Sequence, residues 1–556
     1  MSVQSSIAVT SNHYHHDNFR QYRLAAVDVL DVGWIAGGKM QRSFQSKAWI
    51  LLLFVILILF RLVLQFALYK AGFISLTADE FGRTIAAARW SKHPHLYWHG
   101  PWLPLHSYFL GTMLSINWEL LWMPRLTNVL FGLISIMFVY LLAYSLFKSR
   151  LTGLLSAFLL SVNPAHIWLS GVPLTEVPCT MFVLIGIWAF SRYLENASNI
   201  YLFTSTLALA IANGFRYEAW FISVIFTVAI LYGIFIDFLK QRIKVKKMII
   251  MIMVAWIPWF FPLGWIIGSY MLTQNPLAFL VTIKSYKVQW YGQTTNYYNY
   301  LETFLKIDPY LTFLGLIGVI VCLFSEDQVS SVRLWYTITT VIPLSIFIVL
   351  HGGQLEPPGN YIRYLSPLSF TFYPALGYLL FVSVRKLRSG RLKVWFLMGL
   401  LTLIVATQVT RTFHFTNDPA ADGLAVGQTI RELRQNNPDL HQNPVVIELS
   451  YWQYLAIHVG ANDLDNIIYD RSLDIQSRKT QSLLLLDPQQ FAFCLIFYDV
   501  SYVVMKDPLL RTMIEDRLGL RPIKEVNGYT FYTTEGLSTE LSEKVETCSL
   551  SFGSGY

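Results

Sequence analysis
The hydrophobic positions of this chain come in long unbroken runs. They show neither the alternation of a half-buried strand nor the three-and-four spacing of a soluble helix. Residues 48–69, closed by Lys47 and Lys70, form the first run. A run of roughly 20 apolar residues, rising 1.5 Å per residue as a helix, crosses the hydrocarbon core of a bilayer. Further runs occupy 126–147, 151–169, 178–194, 201–215, 219–239, 248–272, 309–325, 335–350, 365–384 and 394–412, so the pattern predicts about eleven membrane helices. A long polar stretch precedes the first run and no small-residue cleavage site follows it, so that run reads as a retained anchor.

Beyond residue 412 the texture changes. Short β-branched and aromatic stretches at 445–448, 467–469, 502–504 and 529–532 predict strands, and 424–434 and 508–517 predict helices. Residues 413–556 are long enough for a small α/β domain with its own core. The expected organisation is a tail (1–47), a membrane module (48–412) and this C-terminal domain.

Composition agrees with the pattern. Of 556 residues, 54% are hydrophobic and only 14% charged, against roughly 25% charged in an ordinary soluble domain. That excludes a soluble enzyme of this length and a disordered chain. The net charge of +8 would suggest nucleic acid in a soluble protein; here it reports topology, and no nucleic-acid partner is expected. With the N-terminus inside, the short inside loops carry 13 Lys and Arg in 34 positions, while the outside segments carry 9 in 115. This bias predicts a multi-pass protein of the plasma (inner) membrane with a cytoplasmic N-terminus and an extracytoplasmic C-terminal domain. Endoplasmic reticulum is the eukaryotic equivalent, and composition does not separate the two. The clusters at 240–247 and 385–393 supply most of the bias and read as topology signals. Four cysteines do not make a disulfide framework; Cys179 and Cys322 lie in apolar runs. Cys494 and Cys548 are expected to stay unpaired, although an oxidising compartment would permit a bond.

The candidate chemistry lies in ionisable residues at the outer ends of the runs, where charge is costly and usually faces a cavity. The long first outer loop, 71–125, opens on Asp79-Glu80, with Arg83 four residues on. An acidic first turn of a helix is the structural alternative for this pair. His99 lies in the loop's Trp98-His-Gly-Pro-Trp102 stretch, and 108–118 reads as a juxtamembrane helix. Glu176 is the sole charge of the short second outer loop. Arg216-Tyr-Glu218-Ala-Trp220 follows a later run, and Arg125 and Arg363-Tyr364 stand at the starts of others. Mutual neutralisation of Arg216 and Glu218, and interfacial anchoring of the arginines, are the plainer explanations. Together the groups suit transfer from a phosphate leaving group. A carboxylate takes the acceptor's proton, and arginines hold the phosphate.

On these residues the chain resembles the GT-C superfamily of polyprenyl-phosphate-sugar-dependent glycosyltransferases. It is most similar to the branch holding protein O-mannosyltransferases and the aminoarabinose transferase. The matching features are Asp79-Glu80, the juxtamembrane helix, Arg125-Leu126, Glu176, Arg216-Tyr-Glu-Ala-Trp220, and Arg363-Tyr364 with Pro367. The likeness spans about 45–415 as a layout, and Leu103-Pro-Leu105 departs from the family's Pro-Pro-Leu. The resemblance implies an inverting transfer of a sugar from a polyprenyl phosphate to a protein, glycan or lipid acceptor at the outer face. It assigns catalysis to Asp79, Glu80 and Glu176, with Asp79 the base. It assigns donor-phosphate or substrate binding to Arg125, Arg216, Glu218, Arg363, Tyr364 and His99. A divalent cation, magnesium or manganese, suits such carboxylates, but relatives that need none leave it open. The competing expectations are a secondary transporter with an outward-facing ionisable site and a membrane scaffold acting through its C-terminal domain.

Overall fold
A computed structural model describes residues 47–97, 100–292, 298–302, 309–324, 330–351, 358–387, 389–437, 442–450, 452–471 and 481–535, with 355, 537, 548 and 550–552. The N-terminal tail up to residue 46 and the candidate His99 lie outside the described residues.

Each of the eleven apolar runs is helical. Among the described residues, eight helices are long and apolar enough to cross a membrane, from Ala48–Lys70 to Gly390–Thr412. One bent pair, Arg150–Ser161 and Pro164–Gly171, would make a ninth span. The other two runs form shorter apolar helices, Asn199–Phe215 and Phe313–Leu323. The chain is a multi-pass membrane protein. The expected count of eleven exceeds eight or nine because run length alone shows neither the bend nor the shortness of these helices. The bend of 62° has a local cause. Asn163 caps the second helix by accepting from the His166 amide, and Pro164 occupies its first turn, where a missing N–H costs nothing.

Two helices of the first long loop, Asp79–Lys92 and Leu105–Ile116, pack on one end of the bundle. Gly111 permits their crossing, since a Cβ there would overlap Trp90. The C-terminal domain docks on the same helices. Ala420, Leu424, Ala456, Val459 and Leu464 share one buried cluster with Phe81, Ile85, Leu110 and Leu114.

That domain is built on a six-stranded sheet in the order β4-β5-β3-β1-β2-β6. The strands are β1 Val445–Ile447, β2 Ile467–Tyr469, β3 Tyr502–Met505, β4 Pro522–Val526, β5 Tyr529–Thr533 and β6 Ser551–Phe552. The pairs β1–β2 and β1–β3 are parallel and the others antiparallel. The period-two geometry of a strand divides its side chains between two cores. Val446, Ile468, Val503 and Tyr532 face one core with the helices Pro488–Phe497 and Pro508–Leu518. Val445, Ile447, Ile467, Val504 and Phe531 face the other, with Asp422–Asn436 and Gln453–Ala461. The strands expected at 445–448, 467–469, 502–504 and 529–532 are β1, β2, β3 and β5; β4 and β6 were not anticipated. Cys494 and Cys548 form a disulfide, against the expectation of free thiols, because the fold brings their Cα atoms to 5.3 Å. Cys179 and Cys322 are buried and free.

Candidate active site
The site begins in the eight residues, 71–78, between the first span and the helix Asp79–Lys92. This segment is pinned from three sides. Asn417, just beyond the last span, accepts from the amides of Ile74 (2.8 Å) and Ser75 (3.1 Å) and donates to the Gly72 carbonyl (2.8 Å). Arg125 donates to the Ile74 carbonyl at 2.6 Å. Glu80 turns back and accepts from the amides of Leu76 (2.9 Å) and Thr77 (3.2 Å), in the loop just before the helix. Glu80 is fully buried, and burial pushes its carboxyl up to about 8 against the pull of Arg125.

With Glu80 used on the backbone, its neighbour is left for other work. The helix has no side-chain N-cap, and among the described residues Asp79 accepts a hydrogen bond only from Arg363 Nη1, at 2.8 Å. The Asp79 side chain is 37% exposed, whereas that of Arg363 is 2% exposed. Arg363 also donates to Thr77 Oγ1 at 3.2 Å and, through Nε, to Glu176 Oε1 at 2.9 Å. The same Glu176 oxygen accepts from Arg216 Nη1, which also reaches Thr175 Oγ1 at 3.1 Å. Arg216 turns its remaining edge on Glu218, donating through Nε at 3.0 Å and Nη2 at 2.5 Å. Four span-end or loop-end charges thus form one chain, Asp79–Arg363–Glu176–Arg216, with Glu218 closing it. At its deep end Glu176 is fully buried, and among the described residues its Oε2 has no hydrogen-bond partner. An ionised oxygen buried without a partner is costly, which marks it as an acceptor awaiting a donor.

The surroundings are cationic. The Tyr364 ring lies 5.3 Å from Arg216, 5.8 Å from Arg363 and 4.3 Å from Lys287 Nζ. Arg83 forms no ion pair with Asp79; its guanidinium lies 4.6 Å over the Trp102 ring. Burial brings Arg83 down to about 10, so it stays charged at neutral pH. His106 is buried nearby, and burial together with Arg83 and Arg363 holds its imidazole well below its usual range, in the neutral form.

The structure therefore brings together Asp79, Glu176, Arg216, Glu218, Arg363 and Tyr364 of the sequence-stated candidates. Glu80 and Arg125 lie behind the loop and hold its backbone. Thr77, Thr175, Arg83, Lys287 and Asn417 were not singled out as site residues. The spacing of Arg83 from Asp79 suggested only a helical pair, and the others carry no motif. Among the described residues no three His, Cys, Asp or Glu side chains form a metal-ligating group. Asp79 and Glu176 share Arg363, so a divalent ion bound between them would have to displace a guanidinium; the donor set does not fit one.

Comparison with solved structures places the fold in a known architecture. The structure matches that of ArnT from Cupriavidus metallidurans bound to undecaprenyl phosphate, at TM-score 0.57 and 12% identity, over 90% of this chain and 100% of that one. The apo state of the same protein matches at TM-score 0.55 and 13% identity, over 88% and 99% of the two chains. The fold is that of the GT-C glycosyltransferases. An Archaeoglobus fulgidus oligosaccharyltransferase in the apo form also matches, at TM-score 0.50 and 13% identity, over 83% of this chain and 70% of that one. In sequence, residues 92–265 match the model of the dolichyl-phosphate-mannose-protein mannosyltransferase family. That stretch includes Arg125, Glu176, Arg216 and Glu218, and stops short of Asp79 on one side and Arg363 on the other. No curated protein matches the chain in sequence.

Proposed function
We propose that this protein is an inverting membrane glycosyltransferase. It moves a sugar from a polyprenyl-phosphate donor to a protein, glycan or lipid acceptor at the extracytoplasmic face. The observation that carries the proposal is the bridge made by Arg363 between the half-exposed Asp79 and the buried Glu176. Asp79 presents an accessible carboxylate, and a guanidinium aims it. That is what a general base for an acceptor hydroxyl or amine requires. Arg216, Arg363 and Lys287 around Tyr364 supply the positive field in which a phosphate leaving group departs. Glu176 Oε2 takes a hydrogen bond from a donor or acceptor hydroxyl. One of the matched ArnT structures is bound to undecaprenyl phosphate, which supports a lipid-linked donor.

The step itself is a single displacement. Asp79 removes the acceptor proton as the acceptor oxygen or nitrogen forms its bond to the anomeric carbon. The anomeric C–O bond breaks, and the electron pair leaves with the polyprenyl phosphate, whose charge the guanidiniums offset. The Cys494–Cys548 disulfide supports an oxidising location for the C-terminal domain, and hence the extracytoplasmic orientation.

The test supplies purified protein with a radiolabelled polyprenyl-phosphate sugar and membrane extract. Asp79→Asn is expected to lower transfer by on the order of 10²–10⁴-fold, the usual worth of a positioned base. Equal transfer by wild type and variant would remove Asp79 from the mechanism.

A further inference from the structure
The far end of the bundle carries a second constellation. The helix Glu176–Asn196 begins at the candidate active site and, at 21 residues, ends about 30 Å away. Next to that end a cavity of about 310 Å³ opens between the first turns of two helices, Asn199–Phe215 and Val245–Trp256. Lys244, Lys246 and Lys247 form its rim, and Leu202, Ile250, Met251 and Val254 its walls, with Asn199 beside them.

The sequence around the lysines first read as a topology signal, yet the cavity has more order than a topology signal needs. Lys247, Met251 and Val254 recur at spacings of four and three, so one helical face passes from charge to hydrocarbon along its length, with Lys244 at the helix N-cap. Lys246 and Ile250, four apart, repeat the order beside it. The opposing wall runs from the polar Asn199 to the apolar Leu202 at a spacing of three. The three lysines are exposed, and their side chains make no ion pair or hydrogen bond among the described residues. Arg242, next to them in sequence, pairs instead with Asp237. Among the described residues no acidic side chain lines the cavity.

We propose that this cavity binds the phosphate headgroup of an anionic bilayer lipid. The lysines take the phosphate, and the first methylenes of the acyl chains lie against Leu202, Met251 and Val254. A free anion would use the rim and leave the apolar walls without a role. A neutral lipid would leave three cations unmatched. The combination selects a molecule that is anionic at one end and hydrocarbon at the other, at the depth where the two helices enter the bilayer.

The test uses the full chain in detergent, with phosphatidylglycerol or phosphatidylcholine added and bound lipid counted by native mass spectrometry. Wild type is expected to retain phosphatidylglycerol in preference to phosphatidylcholine. The triple variant Lys244→Gln, Lys246→Gln, Lys247→Gln should bind it roughly a hundredfold more weakly, from three contacts of the strength typical of cations at a membrane surface. A control triple variant in the other basic loop, Arg385→Gln, Lys386→Gln, Arg391→Gln, should bind like wild type. Met251→Trp fills the cavity and keeps every charge, and it too should lose the lipid. Inorganic phosphate in excess should not displace it. Equal loss in both triple variants would reduce the effect to diffuse surface charge and overturn the proposal. So would normal binding by Met251→Trp, or displacement by inorganic phosphate. No transfer is measured, so the outcome is independent of the proposed activity.

Discussion
Asn417→Ala tests whether the segment before Asp79 is held from the C-terminal side. Asn417 makes three hydrogen bonds to residues 72–75, two as acceptor and one as donor, all between 2.8 and 3.1 Å. A net intramolecular hydrogen bond contributes about 0.5–1.5 kcal/mol, and Asn417 is half-buried, so water can replace part of what alanine removes. The low half of the range fits best, and the three bonds together come to about 2 kcal/mol. The segment does not unravel, because Arg125 still holds Ile74 and Glu80 still holds Leu76 and Thr77. What changes is the local opening equilibrium, by about thirtyfold at 1.4 kcal/mol per decade.

Hydrogen exchange read by mass spectrometry on the peptide spanning 72–77 measures this directly. In the alanine variant the Ile74 and Ser75 amides should exchange about thirtyfold faster, while β1 and β3, in the sheet core, keep wild-type protection. Asn417→Asp keeps the acceptor for the two amides and loses the bond to Gly72, so it should fall between. In the transfer assay the alanine variant should lose kcat more than donor KM, since the loop aims Asp79 and does not hold the lipid. Exchange within threefold of wild type at Ile74 and Ser75 would show that Asn417 does not carry the loop. A uniform speeding of exchange that includes β1 and β3 would show that the substitution unfolds the domain.

Three further outcomes follow from the same geometry. Arg363→Lys keeps the charge, but one ammonium cannot reach Asp79, Thr77 and Glu176 as the guanidinium does; transfer should fall at least tenfold, and wild-type transfer would refute the bridging role. Glu80 keeps its proton up to about 8 in the fold, against 4.5 in its absence, so between these values the unfolded state binds fewer protons and stability falls as pH rises; thermal midpoints of Glu80→Gln should lack the decline that wild type shows from pH 5 to pH 8. Replacing Cys494 and Cys548 together by serine removes a cross-link over 54 residues, worth about 4 kcal/mol on the chain-entropy account, and should lower the C-terminal domain's thermal midpoint while leaving the mass of labelled product unchanged; an unaltered midpoint would mean that the bond does not restrain the unfolded chain.

The membrane helices were legible because length and apolarity are the properties a bilayer demands. The break after Ser161 was not, although Asn163-Pro164 is a sound helix-start signal; it sits inside an apolar run that reads as continuous. The edge strand β4, Pro522–Val526, escaped for the opposite reason. It is exposed along most of its length and shows no apolar alternation, as befits an edge kept polar against further pairing.

The site divides along a similar line. Asp79, Glu176, Arg216 and Arg363 were visible because a charge at a span end needs a cause, and in the structure each is the other's cause. Arg125 carries the same signal, and yet it spends its guanidinium on the Ile74 carbonyl. Glu80 stands beside Asp79, one position on and one methylene longer, and turns back to the loop amides, which leaves Asp79 to Arg363. Asn417 gave no signal at all, since a neutral amide after a span costs nothing in water. Depth in the membrane therefore identifies which side chains need a partner, and only the fold decides whether that partner is backbone or another charge. Charges that partner one another keep geometry that a substrate can enter. Ionisable side chains consumed by backbone hold that geometry in place, and the pinned loop beneath Asp79 is held by them.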